Sequence, residues 1–414
     1  MRSIMQNKIV IFGAGKIGRS FIGQLFSLGG YEVVFIDVDK EIIDELNKRR
    51  SYKVIIKSDK EEVLNISNVR GVFAGDEASV AFEVATAGIV AVSVGLHGLN
   101  NIFPSLAKGL KNRYELDNQS ALDIIIAENM LNADVFFRDE LKKLLPPWYP
   151  FTRLVGLVET SIGKMVPIML NKEIKEDILQ VFAEPYNTLI LDKKAFRNPI
   201  PHIAGLSPKE NMKAWVDRKL FIHNLGHAAA AYIGYLYNPG FVFMHEALAV
   251  REVHDQTRNT MLQSAAILLK KYPGEFSKED LTGHIGDLLL RFQNKALGDT
   301  LFRVGCDLMR KLGPGDRMAG AIKSAMAFDL PYDKILFALV CGIHFRARDE
   351  NGNMLPEDTK FVMLYQTGIT HVLETICGFD PIQNKGLFEE AQVIDKQLET
   401  ARQAMDLINN LTGS

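Results

Sequence analysis

The residues best suited to chemistry lie near the middle of the chain, in the stretch Asp217 to Tyr232 (DRKLFIHNLGHAAAAY). Read as a helix with a 100° step per residue, it puts Lys219, Asn224 and His227 inside one arc of about 140°. That arc offers an amine, an amide and an imidazole to a common point, with Leu220, Phe221, Ala228 and Ala231 left to pack around it. The run from Ala228 to Ala231 favours helix and is small enough for another element to come close. Taken singly, the three polar residues are equally a snorkelling amine, a solvated amide and a satisfied core histidine. His223 and His227 also stand four apart, as zinc ligands do. A zinc site needs a third ligand and usually a glutamate beside the first histidine, and Asn224 stands there instead, so an amine-centred site is favoured over a metal.

Such a site needs elements to hold it and a reactant to work on, and the N-terminal residues supply a second signal. Lys8 to Phe12 (KIVIF) is a short apolar run suited to a buried parallel strand, and Gly13 to Gly18 (GAGKIG) follows at once. Arg19 to Leu28 has helical periodicity through Phe21, Ile22, Leu25 and Phe26, and a second strand, Glu32 to Ile36, ends in Asp37. Strand, GxGxxG, helix, strand and acid form the order of a dinucleotide site. Gly13 allows the tight turn, Gly15 lets the backbone approach the pyrophosphate, and Gly18 lets helix and strand pack closely. The expected cofactor contacts are Phe12, Gly13, Ala14, Gly15, Lys16, Ile17, Gly18 and Asp37, with Val94 and Gly95 at the end of a later strand. Asp37 and Asp39 would repel a 2′-phosphate and no arginine directly follows Asp37, so NAD is expected over NADP.

The chain continues in α/β fashion. A helix is expected over Lys40 to Arg50, an edge hairpin within Ser51 to Val72, and buried strands at Ile89 to Val94 and Leu122 to Ala127. Ligands of open α/β sheets bind beyond the carboxyl ends of strands, which makes Asn129 a candidate to meet the substrate; it could equally cap a helix from Leu131 to Leu145. Mixed strands run through Leu191, and Arg197 to Pro208, with Pro199, Pro201 and Pro208, reads as a linker. Beyond it the pattern is helical: 209–237, 242–272, 277–291, 299–312, 317–328, 333–346 and 388–410. The expected fold is α/β, with an N-terminal Rossmann-like NAD-binding domain over residues 1–205 and an all-α catalytic domain over 206–414.

With 414 residues, 47% of them hydrophobic, the chain can fill two cores. Its 48 basic and 50 acidic residues leave a net charge of -2, which speaks against nucleic acid as the main partner. Cys306, Cys341 and Cys377 form no CxxC and no paired framework, as expected of buried thiols in a reducing cytoplasm. The N-terminus lacks a signal-peptide pattern and no apolar run is long enough for a membrane span, so a cytoplasmic protein is expected.

At this point the motifs resemble a known family. Lys8 to Asp37, Ala127 to Met130 (AENM), Lys219 to His227 (KLFIHNLGH) and Arg291 to Thr300 (RFQNKALGDT) are similar to the polyol-specific long-chain dehydrogenases, the mannitol dehydrogenase family, in the same order along nearly the whole chain. The resemblance implies a metal-independent, NAD-dependent enzyme interconverting a sugar alcohol and its ketose, foremost mannitol 1-phosphate and fructose 6-phosphate. Hexuronates and free polyols are the alternatives. It further implies Lys219 as general acid/base, Asn129 and Asn224 as holders of the oxyanion and His227 as an orienting group, and it leans towards a monomer. The chain departs from the family at Gly163 to Pro167 (GKMVP), where an Asp-Arg pair commonly precedes two hydrophobic residues and the proline; a carboxylate near the expected site is lost. For a phosphate, Arg303 to Arg317 offers Arg303, Arg310, Lys311 and Arg317, of which Arg303 and Arg310 are seven apart and expected on one helix face, with Asp307 and Asp316 as the neighbours that could instead make this a solvated surface. A non-catalytic NAD-binding regulator is the reading from another class; it would need only the glycine turn and Asp37.

Overall fold

The computed structural model describes residues 5–412 apart from 59, 131 and 170, and it falls into two compact units, Met1–Val216 and Asp217–Ser414. Residue 131, where a helix was expected to begin, lies outside the described residues.

In the first unit the strands are β1 (Met5–Phe12), β2 (Glu32–Asp37), β3 (Ser51–Ile56), β4 (Glu62–Ser67), β5 (Val69–Phe73), β6 (Ala87–Val92), β7 (Leu122–Ile126), β8 (Val155–Ile162), β9 (Val181–Ala183), β10 (Leu189–Asp192) and β11 (Leu206–Lys209). The main sheet has the order β11-β10-β8-β7-β6-β1-β2-β5. All six strands from β5 to β8 are parallel, and their order is the doubly wound one of dinucleotide-binding sheets, reversing between β1 and β6. Its central strands are buried on both faces, which is why they read as unbroken apolar runs. Ile9, Ile11, Val33 and Phe35 enter one core; Val10, Phe12, Val34 and Ile36 enter the other. The first core also takes Phe21, Ile22, Leu25 and Phe26 from the helix after the glycine turn, and the second is closed by helices Glu77–Thr86, Leu99–Leu116 and Ala133–Leu144.

The expected edge hairpin is β3 against β4, but β9 joins β3 in parallel to make a separate three-stranded sheet, while β5 leaves for the main one. The expected linker is tied down. Buried Asp123 accepts hydrogen bonds from the Arg197 and Asn198 backbones and from Asn198 Nδ2, and β11 then pairs with β10. The compact units divide at 216/217.

The second unit is built around helix Leu225–Tyr237, where every residue from Ala228 to Tyr232 is fully buried. Four small alanines in a row let neighbouring helices approach on all sides. Two of the expected long helices are broken. Val250, in extended conformation, separates Met244–Ala249 from Arg251–Lys271. Asp307, at φ 73°, separates Leu301–Gly305 from Leu308–Lys311. Buried Asp358 stabilises this second break by accepting the backbone N–H groups of Asp307 and Leu308 at 2.8 and 2.7 Å. It belongs to a helix, Pro356–Tyr365, that periodicity did not indicate; Ile369–Thr375 is another. Cys341 and Cys377 are buried as expected, whereas Cys306 is half-buried at the break. Among the described residues no helix is long and apolar enough to cross a membrane.

Candidate active site

In the first unit the carboxyl ends of β1, β2 and β6 gather the expected cofactor residues. Gly13 adopts φ 99° and donates its N–H to Ile36 O at 2.8 Å, a conformation that favours glycine. A Cβ on Gly18 would strike the Gly13 carbonyl, while one on Gly15 would meet nothing within 4 Å. Asp37 accepts from the Ala14 N–H at 2.6 Å and, through its other oxygen, from the Asp39 N–H at 3.0 Å. Phe12 is buried, Ile17 is half-buried and Lys16 is exposed. Val94 and exposed Gly95 follow β6, with Gly95 at φ 76° donating its N–H to Glu128 Oε1 at 2.9 Å. Burial pushes the Glu128 carboxyl up, against the lowering effect of the Gly95 and Val94 N–H groups. Asn129 is exposed on the bend after β7. It does not cap the next helix, which starts at Ala133 behind Asn132.

In the second unit the helix carrying Lys219 is not α throughout. Met212–Arg218 is α, Lys219–Asn224 is a π-turn, and Leu225–Tyr237 is α again. The Leu225 N–H donates to Leu220 O, five residues back. The i→i+4 bonds of an α-helix leave residues four apart about 40° out of line. Bonds of i→i+5 spacing likewise leave residues five apart about 50° out of line, so Asn224 stands about 50° from Lys219 instead of about 140° round the helix. His227, three α steps further on, is displaced from Asn224 by about 60°. The π-turn thus gathers the three groups more tightly than an α-helix would. Its widened carbonyls find donors outside the helix: Ser264 Oγ donates to Phe221 O at 2.5 Å, and Arg317 Nη1 to Asn224 O at 3.4 Å.

Charge around this turn favours neutral bases. Burial, then the Arg317 guanidinium, lowers the Lys219 amine to about 8. Burial, followed by the charges of Arg303, Lys311, Arg317 and Arg291, holds the His227 imidazole well below its ordinary value. Its ring stacks on Phe292 at 4.5 Å and 11°, and Nε2 lies 3.3 Å from Oδ2 of buried Asp299. His223 is also buried, and its ring centre lies 6.2 Å from that of His227. Among the described residues no three His, Cys, Asp or Glu side chains gather as a metal-binding group.

Both units have counterparts among known proteins. Residues 7–205 match the mannitol dehydrogenase Rossmann domain and residues 211–399 the mannitol dehydrogenase C-terminal domain. The chain belongs to the mannitol dehydrogenase family. Two solved structures share its fold. A D-sorbitol dehydrogenase in substrate-free form is 17% identical with a TM-score of 0.80, over 96% of this chain and 94% of that one. The Pseudomonas fluorescens mannitol 2-dehydrogenase, in a ternary complex with NAD and D-mannitol, is 18% identical with a TM-score of 0.75, over 100% of this chain and 96% of that one.

Within this mannitol dehydrogenase fold the expected anion pair is not on one helix face. Arg303 and Arg310 lie on the two short helices separated at Asp307. Arg303 pairs with Asp299, and Arg310 with Asp307 at 2.5 Å and Asp316 at 3.3 Å. The cation of this segment that acts on the Lys219 amine is Arg317. Arg317 is buried beside Lys219, and buried Lys311, lowered to about 8 by burial and then Arg317, donates to Val304 O at 2.7 Å. In the departing GKMVP segment, buried Lys164 donates to Asn187 Oδ1 at 2.8 Å and lies 5.1 Å from the centre of the Phe21 ring. Phe292, Asp299 and Ser264 were not singled out from sequence as parts of the site. Phe292 and Asp299 sit inside the RFQNKALGDT motif, which was the available signal.

Proposed function

We propose that the protein is an NAD-dependent dehydrogenase that interconverts a polyol and its ketose, with mannitol 1-phosphate and fructose 6-phosphate as the substrate pair, the activity of a mannitol-1-phosphate 5-dehydrogenase. The observation that carries the reading is the Lys219 amine, lowered to about 8 and brought nearer to Asn224 by the π-turn. Bound NAD would supply the hydride acceptor for the alcohol carbon. The glycine turn would hold its pyrophosphate through backbone N–H groups, and Asp37 its ribose hydroxyls.

Neutral Lys219 Nζ takes the hydroxyl proton of the secondary alcohol as hydride leaves the same carbon, and the carbonyl forms. In the reverse direction the Lys219 ammonium returns that proton to the oxygen. Asn224 donates an amide N–H group to the oxygen as charge builds on it, without changing its own protonation, and Asn129 is the residue of the first unit proposed for the same role. One such donor is typically worth about 3 kcal/mol. His227, neutral and stacked on Phe292, presents a fixed imidazole edge to the substrate hydroxyls. An anionic substrate is supported by the four cations that act on His227, Arg291, Arg303, Lys311 and Arg317, of which Arg303 pairs with buried Asp299 and Arg317 with Asp316. Lys311, buried and with no carboxylate ion pair among the described residues, is better placed than Arg310, held between two aspartates, or Arg317, paired with Asp316 at 2.8 Å, to receive the anion.

The test is oxidation of NADH by the purified protein with fructose 6-phosphate, fructose, tagaturonate and fructuronate in parallel. Turnover of fructose 6-phosphate alone is the expected result. Turnover of a hexuronate or of free fructose would keep the mechanism and replace the substrate, and binding of NADH with no turnover of any would favour the regulator.

A further inference from the structure

We propose that Arg19 is a positioning residue for the cofactor, fixing the glycine turn in the shape that presents its N–H to the pyrophosphate. The inference rests on the NAD reading above. Arg19 follows the last glycine of the turn, and its side chain is folded into the protein, 6% exposed. Nε donates to Ala14 O at 2.6 Å, while Nη1 donates to Ile178 O at 3.0 Å and Leu179 O at 2.6 Å. One planar guanidinium therefore joins the turn to the segment just before β9.

The consequence follows from the peptide unit itself. In a planar trans peptide the C=O and the following N–H point in opposite directions. Pulling the Ala14 carbonyl inward onto Nε thus aims the Gly15 N–H away from Arg19, and a Cβ on exposed Gly15 would also meet nothing within 4 Å. Glycine is the residue most able to let that peptide turn over, because it tolerates either sign of φ. The freedom that admits the ligand needs an anchor, and Arg19 is placed to be one. The main chain of Arg19 is itself held, its N–H on Gly15 O at 3.0 Å and its carbonyl accepting the Tyr52 hydroxyl at 2.7 Å. A lysine would keep the charge without the planar fork that reaches the turn and the 178–179 carbonyls together.

The experiment measures the affinity of wild type, Arg19→Lys and Arg19→Met for NADH, ADP and adenosine, with the melting temperature of each and a KM-against-kcat split for NADH. In Arg19→Lys, NADH and ADP should bind about tenfold more weakly while adenosine, which lacks the pyrophosphate, binds as before, and KM should rise by more than kcat falls. Arg19→Met should lose more; if it does not fold, the lysine variant carries the test. Equal weakening for adenosine and ADP, or a lowered melting temperature with NADH affinity unchanged, would make Arg19 purely structural and overturn the proposal. A wild-type chain that binds neither NADH nor ADP would overturn the NAD reading and this inference with it.

Discussion

The two units each interrupt a helix with a π-turn, and the two turns are used in opposite ways. In the first unit Gly18–Gly23 is buried along its whole length and bracketed by glycines. Gly23 packs so closely under Phe35 and Tyr52 that a Cβ would come within 2.6 Å of the Phe35 ring and 2.7 Å of the Tyr52 hydroxyl. Here backbone is what the chain offers, and side chains such as Arg19 are spent on holding it. The turn in the second unit, Lys219–Asn224, contains no glycine and keeps Lys219 and Asn224 partly exposed. Here side chains are what the chain offers. In both, a helical carbonyl is met by a hydroxyl from another element, Tyr52 on Arg19 O and Ser264 on Phe221 O. A π-turn needs such a partner because its widened hydrogen-bonding leaves carbonyls poorly matched within the helix. The same device is compatible with a surface that binds through N–H groups and with one that transfers a proton.

If the second turn works through side chains, removing one should be drastic. Lys219→Ala should lower kcat by about 10²- to 10⁴-fold while NADH still binds, whereas Lys16→Ala, an exposed side chain of the glycine turn, should do little to either. Comparable turnover in Lys219→Ala would remove it as the base. The pH dependence sharpens this. Alcohol oxidation uses the neutral amine, so its rate should rise as pH passes about 8; ketone reduction uses the ammonium and should fall over the same interval. Parallel profiles for the two directions would exclude Lys219 from the proton transfer.

The glycine turn was legible because its chemistry is written in contiguous residues: strand, three spaced glycines, helix and a terminal acid. The gathering of Lys219, Asn224 and His227 was legible in kind and not in geometry, because a π-turn leaves no mark on apolar spacing. Phe221, Ala228 and Ala231 look the same whichever way the helix is wound. The broken helices were hidden for a related reason. Val250 and Asp307 are single residues in non-helical conformations, and periodicity runs on past them. Pro356–Tyr365 was missed because Asp358 and Phe361 are its fully buried positions, although Pro356 and the acidic first turn were signals that a helix begins there. Arg303 and Arg310 were joined by a spacing that the Asp307 break makes meaningless. Long-range partners such as Asp299 for His227, or Tyr52 for Arg19, depend on the fold as a whole.

A smaller effect is expected at Asp37, which serves the backbone turn through its hydrogen bond from the Ala14 N–H and is proposed to hold the ribose hydroxyls. Asp37→Ala should weaken NADH by roughly one to two orders of magnitude, the range of a charge-assisted hydrogen bond, and narrow its advantage over NADPH. Unchanged selectivity would mean that another group reads the ribose.

The finest test removes only the two hydroxyls. Ser264→Ala leaves Phe221 O without its donor, and Tyr52→Phe does the same to Arg19 O, each at a cost of about 1–3 kcal/mol for a buried carbonyl. Both variants should therefore melt a few degrees lower, and stability alone will not tell them apart. Function should. Without Ser264 the Lys219 turn is free to relax towards α spacing, which swings Asn224 away from the amine, so kcat should fall and the apparent pKa near 8 should move while NADH affinity holds. Without Tyr52 the glycine turn loosens, so NADH affinity should fall while the pH profile holds. If both variants shift both readouts alike, the hydroxyls serve stability in general, and the division between a turn that binds with backbone and one that reacts with side chains fails.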